Sequence, residues 1–287
     1  MNILLLSSLA IVALANAAGC SSGSGSTSST TAASKSGGWL VRCDYSHSLP
    51  DDPIVFPDQP GSSHLHDFFA NTTTDATSTY ASMKAGGTTC PSASGDTAGY
   101  WVPALYKHGV EIDPSGASVR EQFYYRKDNL KAGTVIEPFP ADLRLVTGNA
   151  HATSEGGNPK LGSEIYWGCS DNSENGKPKS PINCSTGIIT LHVGFPNCWD
   201  GVNTDSADHK SHVVYPNSGV CPADHPVAVP RLIARFEYAV GTDSSGITLS
   251  SGPYYTMHGD FWNTWDQTHL ADLVERCLNA DTDCGTL

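Results

Sequence analysis

The chain has 287 residues, of which 16 are basic and 29 acidic, giving a formal net charge of −13 with histidines neutral. A surface that negative repels phosphate backbones and anionic membranes, so nucleic acid is excluded as an expected partner. With 39% hydrophobic and only 16% charged residues, the chain can bury a real core, and its 28 glycines and 18 prolines imply many loops.

In chain order, Ile3 to Ala15 form an apolar run of signal-peptide length, too short to span a bilayer as a helix. Ala13-Leu14-Ala15 and Ala15-Asn16-Ala17 both offer a signal peptidase its small residues. Ala17-Ala18-Gly19-Cys20 competes with them as a lipoprotein box, although Ala17 stands where Leu is usual and no Lys or Arg precedes the run. We therefore expect residues 1–19 to be a removable signal peptide and the protein to be extracellular or attached to the cell envelope, with lipidation at Cys20 its one route to a membrane. Residues 20–38 are nearly all Ser, Thr, Gly and Ala and read as a flexible tether. The folded domain is expected over residues 39–287, as a monomer.

Of nine cysteines, eight follow Cys20: Cys43, Cys90, Cys169, Cys184, Cys198, Cys221, Cys277 and Cys284. None forms a CxxC pair, which argues against zinc-ribbon or thioredoxin chemistry and for up to four disulfides in an oxidising compartment. Spacing leaves the pairing open among 105 connectivities; a local Cys277–Cys284 bridge is one option.

Short β-branched or aromatic runs bounded by turn residues predict strands over 100–106, 121–126, 143–147, 187–193 and 232–240. The best helix is 267–278, where Leu270, Leu273, Val274 and Cys277 recur with helical spacing behind a possible Asp266 or Thr268 cap. Many strands and one terminal helix predict a mainly β domain, a β-sandwich or jelly roll with long disulfide-pinned loops.

Three polar clusters could carry chemistry. In His64-Leu65-His66-Asp67 a strand would put His64 and His66 on one face, where two imidazoles can share a metal or a substrate hydroxyl. The plainer alternative is two loop histidines bonded to backbone. Asn197-Cys198-Trp199-Asp200-Gly201, running on through His209 and His212, reads as a long structured loop or as a surface loop whose aspartates cap turns. His258-Gly259-Asp260-Phe261-Trp262, followed by Trp265, sets aromatic planes beside a carboxylate as a sugar site requires, while core packing accounts equally well for at least one tryptophan.

These stretches, together with Tyr100-Trp101-Val102-Pro103, Tyr124-Tyr125-Arg126 and Phe195-Pro196, resemble the DUF1996 domain over about Trp39 to Cys277. That domain is common in secreted fungal proteins, often beside WSC carbohydrate-binding modules, and occurs in bacteria. The resemblance implies polysaccharide-rich surroundings and supplies no catalytic residue.

The leading expectation is a polysaccharide-cleaving glycoside hydrolase with Asp200 and Asp260 as paired carboxylates and His66 and His258 beside them, requiring no cofactor. His64, Asp67, Trp199, His209, His212, Trp262 and Trp265 would contact polysaccharide or oligosaccharide. The alternatives are a non-catalytic glycan-binding or envelope protein and a metal-dependent enzyme holding a divalent transition metal on His64 and His66, joined by His209, His212 or His258 with Asp260 as a further ligand. We expect the three clusters to converge into one cleft lined by His66, Asp200, His209, His212, His258 and Asp260, with Trp199, Trp262 or Trp265 at its wall; the alternative leaves each cluster as its own pinned loop.

Overall fold

The computed structural model describes residues 37–116 and 120–287. The expected signal peptide and all but the last two residues of the expected tether lie outside them. Eleven strands build two sheets: β1 (Gly38–Cys43), β2 (Tyr45–Leu49), β3 (His66–Ala70), β4 (Gly99–Pro103), β5 (Glu121–Arg126), β6 (Arg144–Gly148), β7 (Ile165–Cys169), β8 (Ile188–Gly194), β9 (Arg231–Ala239), β10 (His258–Trp262) and β11 (Asp283–Thr286). One sheet has the order β11-β1-β5-β9-β8-β7 and the other β2-β3-β4-β10-β6. Each pairing is antiparallel except β1 with β11.

The sheets pack face to face because alternate residues on each are large and apolar. Phe69 meets Phe236 at 4.7 Å between ring centroids, and Tyr100 stacks on Phe123 at 3.8 Å. Gly259 sits where a side chain could not: a Cβ there would approach Val193 Cγ1 to 2.8 Å. The opposite face of the five-stranded sheet carries a second, smaller core of Ile54, Phe68, Met83, Trp101, Val146 and Trp262. This second core explains why the strands bearing the histidines look apolar on both faces and lack the alternation that flags a half-exposed strand.

The terminal helix spans Gln267–Leu273 and continues as a π-helix over Val274–Asn279. Asp266 caps it by accepting from the His269 amide, and the periodic set Leu270, Leu273, Val274 and Cys277 is buried. A short helix, Tyr80–Ala85, begins at a Thr79/Ser82 capping box; its apolar content is too small for periodicity to reveal it.

All eight expected cysteines are paired, as Cys43–Cys90, Cys169–Cys184, Cys198–Cys221 and Cys277–Cys284. Four disulfides fit an oxidising, extracytoplasmic compartment, and among the described residues no helix is long and apolar enough to cross a membrane. Cys43–Cys90 closes the widest loop, with a sequence separation of 47. Replacing both of its cysteines by serine should therefore lower unfolding free energy by about 2–4 kcal/mol in denaturant titration; an unchanged midpoint would show that this loop is already ordered in the unfolded chain.

Inside the main core Asp96 accepts the Tyr100 hydroxyl at 2.7 Å and the Ala98 amide at 2.9 Å. Burial pushes its carboxyl up to about 7, and burial also raises that of Asp67 to about 6. Each then holds its proton in the folded chain after the unfolded chain has lost it, near pH 4. Their contribution is complete below that pH and disappears as pH rises through the folded values. Between pH 4 and 7 the wild-type melting temperature should fall relative to Asp96→Asn, and parallel pH profiles for the two proteins would refute the assignment.

Candidate metal centre

The segment joining β2 to β3 folds back over the outer face of the five-stranded sheet. Asp51 accepts the Gly61 and Ala76 amides through its two carboxylate oxygens, and Asp52 turns the chain by accepting from Ile54 and Val55. These bonds bring the Asp51 carbonyl to 2.9 Å from His66 Nδ1. From the other side β10 presents His258 and Asp260, which share one face because they lie two apart. His258 pairs with Gly148 on β6, where φ is +83° and a Cβ would come within 2.4 Å of the Met257 carbonyl. Glycine is needed there, and it lets β6 lie close against the start of β10.

His258 Nδ1 is 2.8 Å from the Thr256 carbonyl. A carbonyl only accepts, so Nδ1 carries the proton on both His66 and His258, and each neutral ring turns a lone pair on Nε2 toward the other. Those Nε2 atoms are 3.3 Å apart, and His64 Nε2 lies 3.0 Å from that of His258. Nitrogens bonded at about 2.0–2.1 Å to a tetrahedral ion stand roughly 3.3 Å apart, so the spacing suits three ligands of one cation. The carbonyls hold the rings in the orientation and tautomer that a metal requires.

Two carboxylates lie beside the histidines, in a group that shares His66 with them. Asp260 is 1% exposed, and neither of its oxygens has a hydrogen-bond partner. Single ligand atoms of Asp52, His66 and Asp260 all lie within 4.8 Å of one another. Burial raises the Asp260 carboxyl well above its ordinary value, with the charge of Asp52 adding to the effect. Burial and neighbouring imidazoles lower His64 to about 4 and His258 to about 3, and His66 also falls well below the usual range. A pair of carboxyls and three uncharged imidazoles without enough partners is costly to bury, and a divalent cation would compensate them together. The donor set of nitrogen with a carboxylate oxygen suits zinc or another first-row transition ion.

Outside these groups a cavity of about 200 Å³ opens, lined among others by Ser63, Asn149, His151, Asp208, His209 and Lys210. Thus the three sequence clusters each contribute: His64 and His66, then His209, then His258 and Asp260. Other candidate residues lie apart from the cavity. Asp200 is spent on a turn, accepting from the Val202 and Asn203 amides and the Asn203 side chain. Trp199 donates to the Asn203 carbonyl. His212 is buried between the Ser206 hydroxyl and the Arg144 carbonyl, so its ring braces the loop. Asp67 faces the main core and binds Ser48 and Tyr238, since one step along a strand reverses the face. Both tryptophans are core residues, Trp262 donating to Asp142 and Trp265 to the Tyr125 hydroxyl.

Sequence reading passed over Asp52, His151 and Lys210. The adjacent pair Asp51-Asp52 before Pro53 was the available signal, being carboxylates in a turn shortly before the histidine pair.

No curated protein and no solved structure matches the chain. The family model described as "Domain of unknown function (DUF1996)" matches residues 52–265, from Asp52 at the centre to Trp265 beyond β10, so the chain belongs to the DUF1996 family.

Proposed function

We propose that this protein is a secreted metal-dependent enzyme acting on polysaccharide, with His64, His66 and His258 holding a divalent transition ion and Asp260 beside it. The observation carrying the reading is that the Nε2 atoms of His64 and His66 lie 3.0 Å and 3.3 Å from that of His258 while the His66 and His258 rings are fixed from behind by carbonyls. Such an ion, when bound, would supply Lewis acidity and activate water for attack. Asp260, with two unpartnered oxygens, would accept a proton once a cation beside it favoured its ionised form, while Asp52 nearby limits how readily both carboxyls ionise. Polar groups around the cavity, including Ser63, Asn149 and His151, are suited to sugar hydroxyls, which supports carbohydrate as the substrate class.

A metal-free glycoside hydrolase is the second reading. It is favoured by the close approach of the Asp52 and Asp260 carboxyls, which would replace the Asp200–Asp260 pair as acid and base. One experiment separates them: purified protein is stripped with a chelator, then screened with and without added zinc, manganese or copper against plant, fungal and bacterial glycans with product detection. Turnover restored by one equivalent of metal supports the first reading. Turnover indifferent to chelation supports the second, and metal binding without any product would leave a binding protein.

A further inference from the structure

Next to the cavity at the histidine centre lies a second depression of about 640 Å³. Val146, Gly148, Asn149 and Lys210 line both, so the two adjoin, with the centre on one side of these residues and the groove on the other. Its far end is built on Tyr215, whose hydroxyl meets Thr147 at 2.6 Å and the Gly194 carbonyl at 2.7 Å. Lys160 Nζ rests 4.0 Å from the centre of that ring, and Lys210 Nζ donates to the Gly148 carbonyl at 2.7 Å.

Two features distinguish this extension from ordinary surface. No carboxylate lines it, although acidic residues number 29 against 16 basic ones in the chain. Its two ammonium groups make no ion pair among the described residues, yet both are held in place, one on an aromatic face and one on a carbonyl. A structure so acidic elsewhere gains nothing in solubility from two positioned cations in a groove, whereas a ligand carrying repeated negative charge would find complementary charge there.

We propose that the groove binds an anionic polysaccharide, one bearing carboxylates or sulfates along its chain, and leads it past Lys160 and Lys210 to the histidine centre. This rests on the metal-dependent reading for the chemistry at the end of the groove, but the binding itself does not. The Tyr215 edge and the apolar Val213 and Pro196 suit sugar-ring faces, and the ammoniums suit the acidic substituents. Lys160 is remote from the three histidines in sequence and makes no bond to them, so it serves as the probe.

The test measures affinity of the full secreted chain, metal-loaded and chelator-stripped, for polygalacturonate, dextran sulfate, neutral β-1,3-glucan, neutral xylan, polyglutamate and single-stranded DNA. The acidic glycans should bind at least tenfold more tightly than the neutral ones, with an affinity that falls as salt is raised. Lys160→Glu should weaken acidic-glycan binding at least tenfold while leaving bound metal and melting temperature unchanged; Lys160→Gln should lie between. Preference for polygalacturonate over dextran sulfate, or the reverse, identifies the charged substituent. Equal affinity for neutral glycans, equal affinity for polyglutamate or DNA, or an unaltered Lys160→Glu variant would each overturn the proposal. Acidic-glycan binding by a chain that takes up no metal would refute the metal centre and leave the groove standing. The converse, metal uptake without acidic-glycan preference, would refute the groove alone.

Discussion

Replacing His66 with alanine should weaken transition-metal binding at least 100-fold, because it removes one of three nitrogens and the only one of them that is fully enclosed. Wild-type protein dialysed against zinc should retain about one equivalent by elemental analysis, and the variant almost none. His258→Ala should behave the same way, and His64→Ala more mildly, since His64 is partly exposed and its Nδ1 makes no bond that fixes the ring. Metal that binds the folded chain and not the unfolded one raises stability by mass action, so the wild-type melting temperature should climb with added zinc while that of His66→Ala stays flat. A variant that keeps a full equivalent would place the metal elsewhere. If His66→Ala fails to fold, His66→Gln keeps most of the side-chain volume and answers the same question.

Much of the fold was legible because it depends on local signals. The strands at 121–126 and 232–240 are β-branched and aromatic runs between turn residues, and the observed elements Glu121–Arg126 and Arg231–Ala239 follow them closely. The helix was legible from four apolar residues at helical spacing and an aspartate cap. Strands β3 and β10 were harder, since they are buried on both faces and short, so that neither alternation nor length separates them from a polar loop. The site was legible in part for a different reason. Two histidines two residues apart, and a histidine two residues before an aspartate, are side-chain arrangements that a strand turns into shared faces. What no local signal carries is which loop covers that face. The Asp51 carbonyl reaches His66, and the Asp52 carboxylate approaches Asp260, only when the segment 50–64 folds over β3. Asp200 looked equally chemical in sequence, beside Trp and Gly, and its carboxylate instead holds a turn, the common use of an aspartate followed by glycine and asparagine.

Asp260→Asn should separate catalysis from stability. If Asp260 accepts a proton during turnover, the amide cannot, and the rate on a glycan substrate should drop between about 100-fold and 10,000-fold, the range typical of a lost general base. Stability should move the other way in the metal-free protein. There the carboxyl is buried with both oxygens unpartnered and close to Asp52, an arrangement that costs free energy whether the group keeps its proton or loses it. An amide of the same shape carries no charge to bury, so the stripped variant should unfold at a higher denaturant concentration than the stripped wild type, by about 1–3 kcal/mol. Adding zinc should close or reverse that gap, because the cation compensates the carboxylate of the wild type and has less to gain from an amide. Three outcomes are informative together. Lost turnover with a stabilised apo form places Asp260 in the chemistry and explains why the chain tolerates so poorly partnered a group. Lost turnover with lost stability would make Asp260 a structural residue whose partners form only in solution. Unchanged turnover would move proton transfer to Asp52, the other carboxyl within reach of His66, and Asp52→Asn would then be the variant that stops the reaction.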